Sequence, residues 1–388
     1  MDAIFPLQGV IKKYDWGGID YISQLLKIDN AQQDPFAEYW MGVHPQGIAS
    51  VQTSTNEWIP LTKLTMPLPF LFKVLDVKDM LSIQVHPTKE NAILDFDREN
   101  KLGIPLDSPI RNYKDNNHKP ELMVALSEFW LLHGFRPSSS LLKILNEIKE
   151  LNSLLPVFEK QGYEGLYRRV MEMTQLEVDD LLKPLRDRIV PLYEQGELSK
   201  SQPDFWAARA FLTFSNYGYA DRGIFSVYFF NLVQMQPGQA VFQDAGIPHA
   251  YLEGQNVEIM ANSDNVLRGG LTNKHIDVTE LLKHVRCISV EPNVLPAKKE
   301  KESWFETPVE DFRLGQLNLE AGEELIVEVD KPSIFLCISG QAVVEAGGRS
   351  IFLGKGQPAA FCTKGVNLTL HSQNGALIFR ATDAIHNR

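Results

Sequence analysis

The sequence predicts a mainly β protein interrupted by a helical insertion. Three observations carry this. Residues 1 to about 135 read as short strands and turns rich in Pro, Gly and aromatic side chains. Between residues 137 and 220 the apolar positions recur at helical spacing. From Gly223 strand character returns, and the stretch from about 303 to 388 alternates again.

Each element has its own local reason. Phe70, Leu71, Phe72, Val74 and Leu75 read as a buried strand around Lys73, and residues 81–85 as a second. Ser138, Ser139 and Ser140 predict a cap for a helix with apolar positions Leu141, Ile144, Leu145 and Ile148. Thr174-Gln175-Leu176-Glu177 fits a capping box ahead of Val178, Leu181 and Leu182. Residues 205–214 read as another helix. Residues 225–230 read as a strand, and the Pro237-Gly238 turn leads through a further strand to Gly246-Ile247-Pro248-His249. Pro292, Pro296 and the charged run 298–302 mark a linker. Beyond it, residues 334–338 and 341–344 alternate, and Gly354-Lys355-Gly356-Gln357-Pro358 sits where a hairpin turn belongs. That turn carries no His, so the last part reads as a smaller barrel without metal.

A chain of 388 residues is too long for one ordinary core, so two or three domains are expected. The net charge of −11 disfavours nucleic acid and anionic membrane surfaces as partners. A phosphorylated small molecule stays compatible, because a few buried cations suffice to hold it. Cys287, Cys337 and Cys362 are widely spaced and odd in number, which suits reduced thiols in a cytoplasmic protein. The N-terminus lacks the pattern of a cleaved leader. No apolar run reaches the length of a membrane span; residues 224–233 are interrupted by Ser226 and Asn231.

Chemistry concentrates in three motifs far apart in the chain: Gln84-Val85-His86-Pro87, His118-Lys119-Pro120-Glu121 and Pro248-His249-Ala250-Tyr251. On a strand, Gln84 and His86 point the same way. Two imidazoles, one carboxylate and one amide oxygen suit a borderline divalent ion such as zinc, with room for water or substrate. Two His and a carboxylate also suit iron in a metal oxygenase. His44, His133 and His275 read as structural.

These motifs, with Lys13-Tyr14-Asp15-Trp16-Gly17, the run 37–45, Asn112-Tyr113-Lys114-Asp115 and the run 260–272, resemble the class I mannose-6-phosphate isomerases. The resemblance runs along most of the chain. It implies two cupin-type (jelly-roll) barrels plus a helical domain. Residues 1–136 with 221–300 would form the catalytic barrel, 137–220 the helical insertion and 301–388 the metal-free barrel. It implies one zinc ion per chain on Gln84, His86, Glu121 and His249. Lys73, Ser82 and Lys274 would anchor a sugar phosphate, with Trp16 lining the sugar; Asn273 stands where the family usually has proline. The implied reaction is aldose–ketose isomerisation of mannose 6-phosphate to fructose 6-phosphate through an enediolate. Arg268 would stabilise that charge. Glu258, Lys119 and His118 stand as acid–base candidates, and Asp264 as an aid to ring opening or to orienting Arg268. Another sugar phosphate, or a non-catalytic sugar-binding role, remains the alternative. The expected assembly is a monomer or weak homo-oligomer.

Overall fold

Strands from both ends of the chain meet in one sheet. In the computed structural model, which describes residues 3–65, 67–214 and 218–384, the strand Ile4–Gln8 pairs with Ala359–Cys362 on one side and Ser50–Gln52 on the other. The expected outer borders at residues 1 and 388 lie outside the described residues. All the strands from Glu302–Phe305 onward belong to this 11-stranded sheet among the described residues, so pairing crosses the expected border at 301. A second 11-stranded sheet runs from Phe230–Met235 through Phe129–Phe135, His249–Ala261, Phe70–Val77 and Glu38–His44 to Val10–Lys12. Its long central strand, His249–Ala261, is flanked by Phe70–Val77 and Glu121–Ala125 in antiparallel register. The strand pairing is antiparallel in both sheets.

One apolar core joins the two sheets. Phe5 and Leu7 from the N-terminal strand pack with Tyr39, Phe72, Leu122 and Ile259, and with Ile334, Phe361 and Phe379 from the C-terminal strands. A second core lies where helices cover the other sheet. It joins Leu132 and Phe135 to Leu145, Leu166, Leu182, Trp206 and Phe225. Burying a large apolar side chain is worth roughly 1.5–3 kcal/mol, so each cluster outweighs any surface interaction in the chain.

The helical segment comprises Ser138–Glu147, Leu155–Glu172, Gln175–Glu194 and Pro203–Phe214. Both halves of the expected capping box form at Thr174: Glu177 N–H donates to Thr174 Oγ1 at 3.3 Å, and Thr174 N–H to Glu177 Oε2 at 2.8 Å. Three local expectations need correction. The serines at 138–140 lie inside the first turn rather than capping it; Pro137 takes the cap position and no side chain caps the helix. Residues Gly223–Phe229 are helical, and the strand starts only at Phe230. Every residue of that helix is buried, so the run carries no amphipathic period to separate helix from strand. In 81–85 only Gln84–Val85 is a strand. Leu81 N–H donates instead to the Tyr251 carbonyl and Ile83 N–H to that of Gly270. Among the described residues, no helix is long and apolar enough to cross a membrane.

Candidate metal centre

Sheet register brings the distant motifs together. His249 pairs with Gln84, and Gln84 pairs on its other side with Arg268. Glu121 starts its strand opposite Met260. One strand over, Lys73 stands between Trp40 and Glu258. Residues as distant in the chain as Glu38 and Glu258 therefore line one narrow cavity of about 50 Å³, among them Gln84, Lys119, Glu121 and His249.

His86, Glu121 and His249 each offer a ligand atom, all within 4.8 Å of one another, and all three residues are buried. The glutamate faces both rings: Oε1 lies 3.6 Å from His86 Nε2 and Oε2 lies 3.3 Å from His249 Nε2. The far side of each ring fixes its tautomer. His86 Nδ1 lies 2.8 Å from the Asn265 carbonyl and His249 Nδ1 3.0 Å from that of Ile247. A carbonyl only accepts, so both Nδ1 atoms carry the proton. Both Nε2 lone pairs then point at a carboxylate, buried and without a hydrogen-bond partner. Such an arrangement is repulsive without a cation between the groups. Burial pushes His86 down to about 4, which keeps the ring neutral. Burial works against the charge on Glu121, yet Lys119, 3.0 Å away, holds its carboxyl well below the usual range.

Behind this cluster lies a buried polar network. Lys73 Nζ donates to Glu258 Oε1 at 2.8 Å, and Tyr251 OH donates to Glu258 Oε2 at 2.7 Å. Trp40 covers the ammonium, with its ring centroid 5.6 Å from Nζ. Glu38 lies alongside, and burial raises its pKa. The cavity thus has three carboxylates, Glu38, Glu121 and Glu258, against two lysines, Lys73 and Lys119. An excess of buried negative charge beside unpartnered imidazole nitrogens fits a divalent cation.

The remaining sequence-derived residues divide. Arg268 is half-buried, burial lowers its pKa, and among the described residues no carboxylate pairs with its guanidinium. Ser82 is half-buried and Lys274 exposed. Lys73, expected to anchor phosphate, is committed to Glu258. Asp264 is not paired with Arg268; it accepts from Gln46 Nε2 at 2.8 Å and lies 3.5 Å from His44 Nε2. His118 directs Nε2 to Asp311, at 2.9 Å, and not to the cluster. Trp16 stacks on Tyr14 with centroids 5.7 Å apart. His133 is buried against Gln243, as a structural histidine would be.

Asn265 is the functional residue that sequence reasoning missed. Its carbonyl orients His86, while its buried side chain ties down the neighbouring loop. Oδ1 accepts from Lys114 N–H at 2.7 Å, and Nδ2 donates to the Asp115 and Asn117 carbonyls at 2.8 and 2.9 Å. The available signal was the polar run Asn262-Ser263-Asp264-Asn265 directly after an apolar strand. Asp95, Glu280 and His284 form another close group. Its acceptors are engaged by Lys283, Arg98 and Tyr113, so it reads as a tie between the helices Lys89–Lys101 and Val278–His284.

Comparison with known proteins fits this geometry. Residues 4–138 match the family model "Phosphomannose isomerase type I, catalytic domain". The chain is 35% identical to the mannose-6-phosphate isomerase of Salmonella typhimurium over 90% of its own length and 92% of that protein's. It is 30% identical to the Homo sapiens enzyme of that name, covering 97% and 98%. A zinc-bound crystal structure of mannose 6-phosphate isomerase superposes with a TM-score of 0.86 at 31% identity, covering 99% of this chain and all of that one. The Salmonella typhimurium structure bound to substrate (f6p) and zinc gives the same TM-score of 0.86.

Proposed function

The chain belongs to the type I mannose-6-phosphate isomerase family, and from that premise we propose that it interconverts mannose 6-phosphate and fructose 6-phosphate at the His86–Glu121–His249 centre. One observation carries the reading: two buried imidazole Nε2 atoms without partners face a single carboxylate in a lysine-lined cavity. Two imidazole nitrogens, the Glu121 carboxylate and the Gln84 amide oxygen form a donor set that fits one zinc ion per chain and leaves room for substrate. The zinc-bound relatives support the same choice. When bound, the ion supplies Lewis-acid polarisation of the sugar oxygens.

Everything else falls to the side chains. In the open-chain aldose a proton leaves C2, its electron pair enters the C1–C2 bond, and negative charge collects on O1. The O2 proton passes to O1, and return of the carbon-bound proton to C1 gives the ketose. We assign the carbon-bound proton to Glu258, whose two oxygens are oriented by Lys73 and Tyr251. Lys119 is the second candidate, from its place in the cavity wall. Arg268, a partly buried cation without a carboxylate partner, suits the developing oxyanion. Ser82 and Lys274 hold the phosphate beside it, and Trp16 lines the sugar. The chemistry is thereby assigned to residues 1–136 with 221–300.

Turnover of mannose 6-phosphate by the purified protein, before and after chelation and after zinc is restored, tests this. Expected is fructose 6-phosphate formation, abolished by the chelator and recovered with zinc. Stoichiometric bound zinc without turnover would move the assignment to another sugar phosphate or to a binding role. Oxygen consumption supported by iron would favour an oxygenase instead.

A further inference from the structure

The turn carrying Arg268 and Lys274 is gripped from two sides. On the sheet side, Gly269 N–H donates to the Ile83 carbonyl at 2.9 Å, and Ile83 N–H to the Gly270 carbonyl at 3.0 Å. On the other side a single carboxylate does the holding. Asp221 Oδ1 accepts from Gly223 N–H and from Leu271 N–H, each at 2.7 Å, and Oδ2 accepts from Thr272 N–H at 3.1 Å. The backbone there is strained. Leu271 has φ +52°, a left-handed conformation that a residue with a Cβ rarely adopts. The two segments touch main chain to main chain: a Cβ on Gly270, where φ is +122°, would lie 2.3 Å from Gly223 Cα.

Asp221 is itself anchored in the helical region. Ala220 N–H donates to Asp179 Oδ1 at 2.8 Å, and Gln175 Nε2 donates to the Ala220 carbonyl at 2.9 Å. Both partners lie on the helix Gln175–Glu194. Arg222 reaches the Met171 carbonyl next door. Hydrogen bonds from that helix thus hold Ala220, and its chain neighbour Asp221 holds the turn.

We propose that Asp221 is a positioning residue: from the helical region it fixes the 268–274 turn, and so sets where Arg268, paired with Gln84, and Lys274 stand. This rests on the assignments made above, of Arg268 to the developing oxyanion and of Lys274 to the phosphate. A carboxylate suits the task because charge-assisted bonds to converging N–H groups are stronger than neutral ones. A restraint is also needed, since partial desolvation and the nearby Arg268 both push the Lys274 ammonium down. Without it the two cations would part and the left-handed residue would relax.

The test is Asp221→Asn, which keeps size but leaves one acceptor oxygen, with Asp221→Ala as the fuller loss. Expected for Asp221→Asn is a KM for mannose 6-phosphate raised about tenfold, through Lys274, and a kcat lowered about tenfold, through Arg268, at unchanged zinc content. Hydrogen exchange of the Leu271 and Thr272 amides should quicken by about tenfold or more, while amides of the His249–Ala261 strand keep their protection. An unchanged KM, or unchanged protection of the two amides, overturns the proposal. A general loss of protection and of melting temperature overturns it too, in favour of a folding role. If the parent protein does not turn over mannose 6-phosphate, the functional assignment fails, while the amide-exchange comparison still decides whether Asp221 holds the turn.

Discussion

Burial sets the protonation of the centre residue by residue. His86 and His133 are both pushed down to about 4, in each case first by desolvation. In the unfolded chain a histidine titrates near 6.5. Between these values the unfolded state binds protons that the folded state refuses, so stability rises with pH across that window. The contribution is fully present above about pH 6.5 and is lost as pH falls toward 4. The chelated protein should therefore melt at steadily lower temperature from pH 6.5 down to 4; a flat profile there would contradict the neutral, buried assignment. Zinc retention should weaken in the same direction, because the ligands must stay deprotonated. At this scale the cluster of His86, Glu121 and His249 was legible because the three motifs that carry it match one family pattern jointly. Their partners were not. Glu258 meets Lys73 across 185 positions, and His118 meets Asp311 across 193, and no local pattern encodes such pairings.

Elements were legible where the signal is local and chemical. The Thr174 box is one: its two reciprocal hydrogen bonds need only the residue types at the cap and three positions on. Thr174→Ala should lower the melting temperature by about 2–4 °C while leaving turnover unchanged. Thermal melting monitored by circular dichroism checks this, and an undiminished melting point would mean that tertiary packing alone holds the helix start. The serines at 138–140 carried the same residue preference but not the geometry, because Pro137 already occupies the cap position with an extended backbone. The helix Gly223–Phe229 was misread for a different reason. It is buried on all sides and apolar except for Ser226, so no period separates helix from strand, and it packs in one cluster with Tyr167, Trp206 and Phe211.

Over the whole molecule, the mainly β character and the helical insertion could be read from periodicity alone, but not the way the ends meet. Ile4 pairs with Cys362 and Leu7 with Ala359, and Phe5 and Leu7 share a core with Ile334 and Phe361. A chain ending at residue 300 should consequently lack cooperative folding, since its first strand loses one neighbour and its core one wall. A soluble truncated protein that melts cooperatively and binds zinc would refute this. The same pairing dictates an order of events on the ribosome. At roughly 5–20 residues per second, the partner of the first strand emerges on the order of tens of seconds after that strand does. All four proposed zinc ligands have been made well before then. The first strand meanwhile has only Ser50–Gln52 to lean on and presents an open edge for that whole interval. Closure of this sheet is therefore late: the nascent chain can gather the proposed metal-binding side chains early, but the open edge of the first strand is covered only once residues 359–362 have been made.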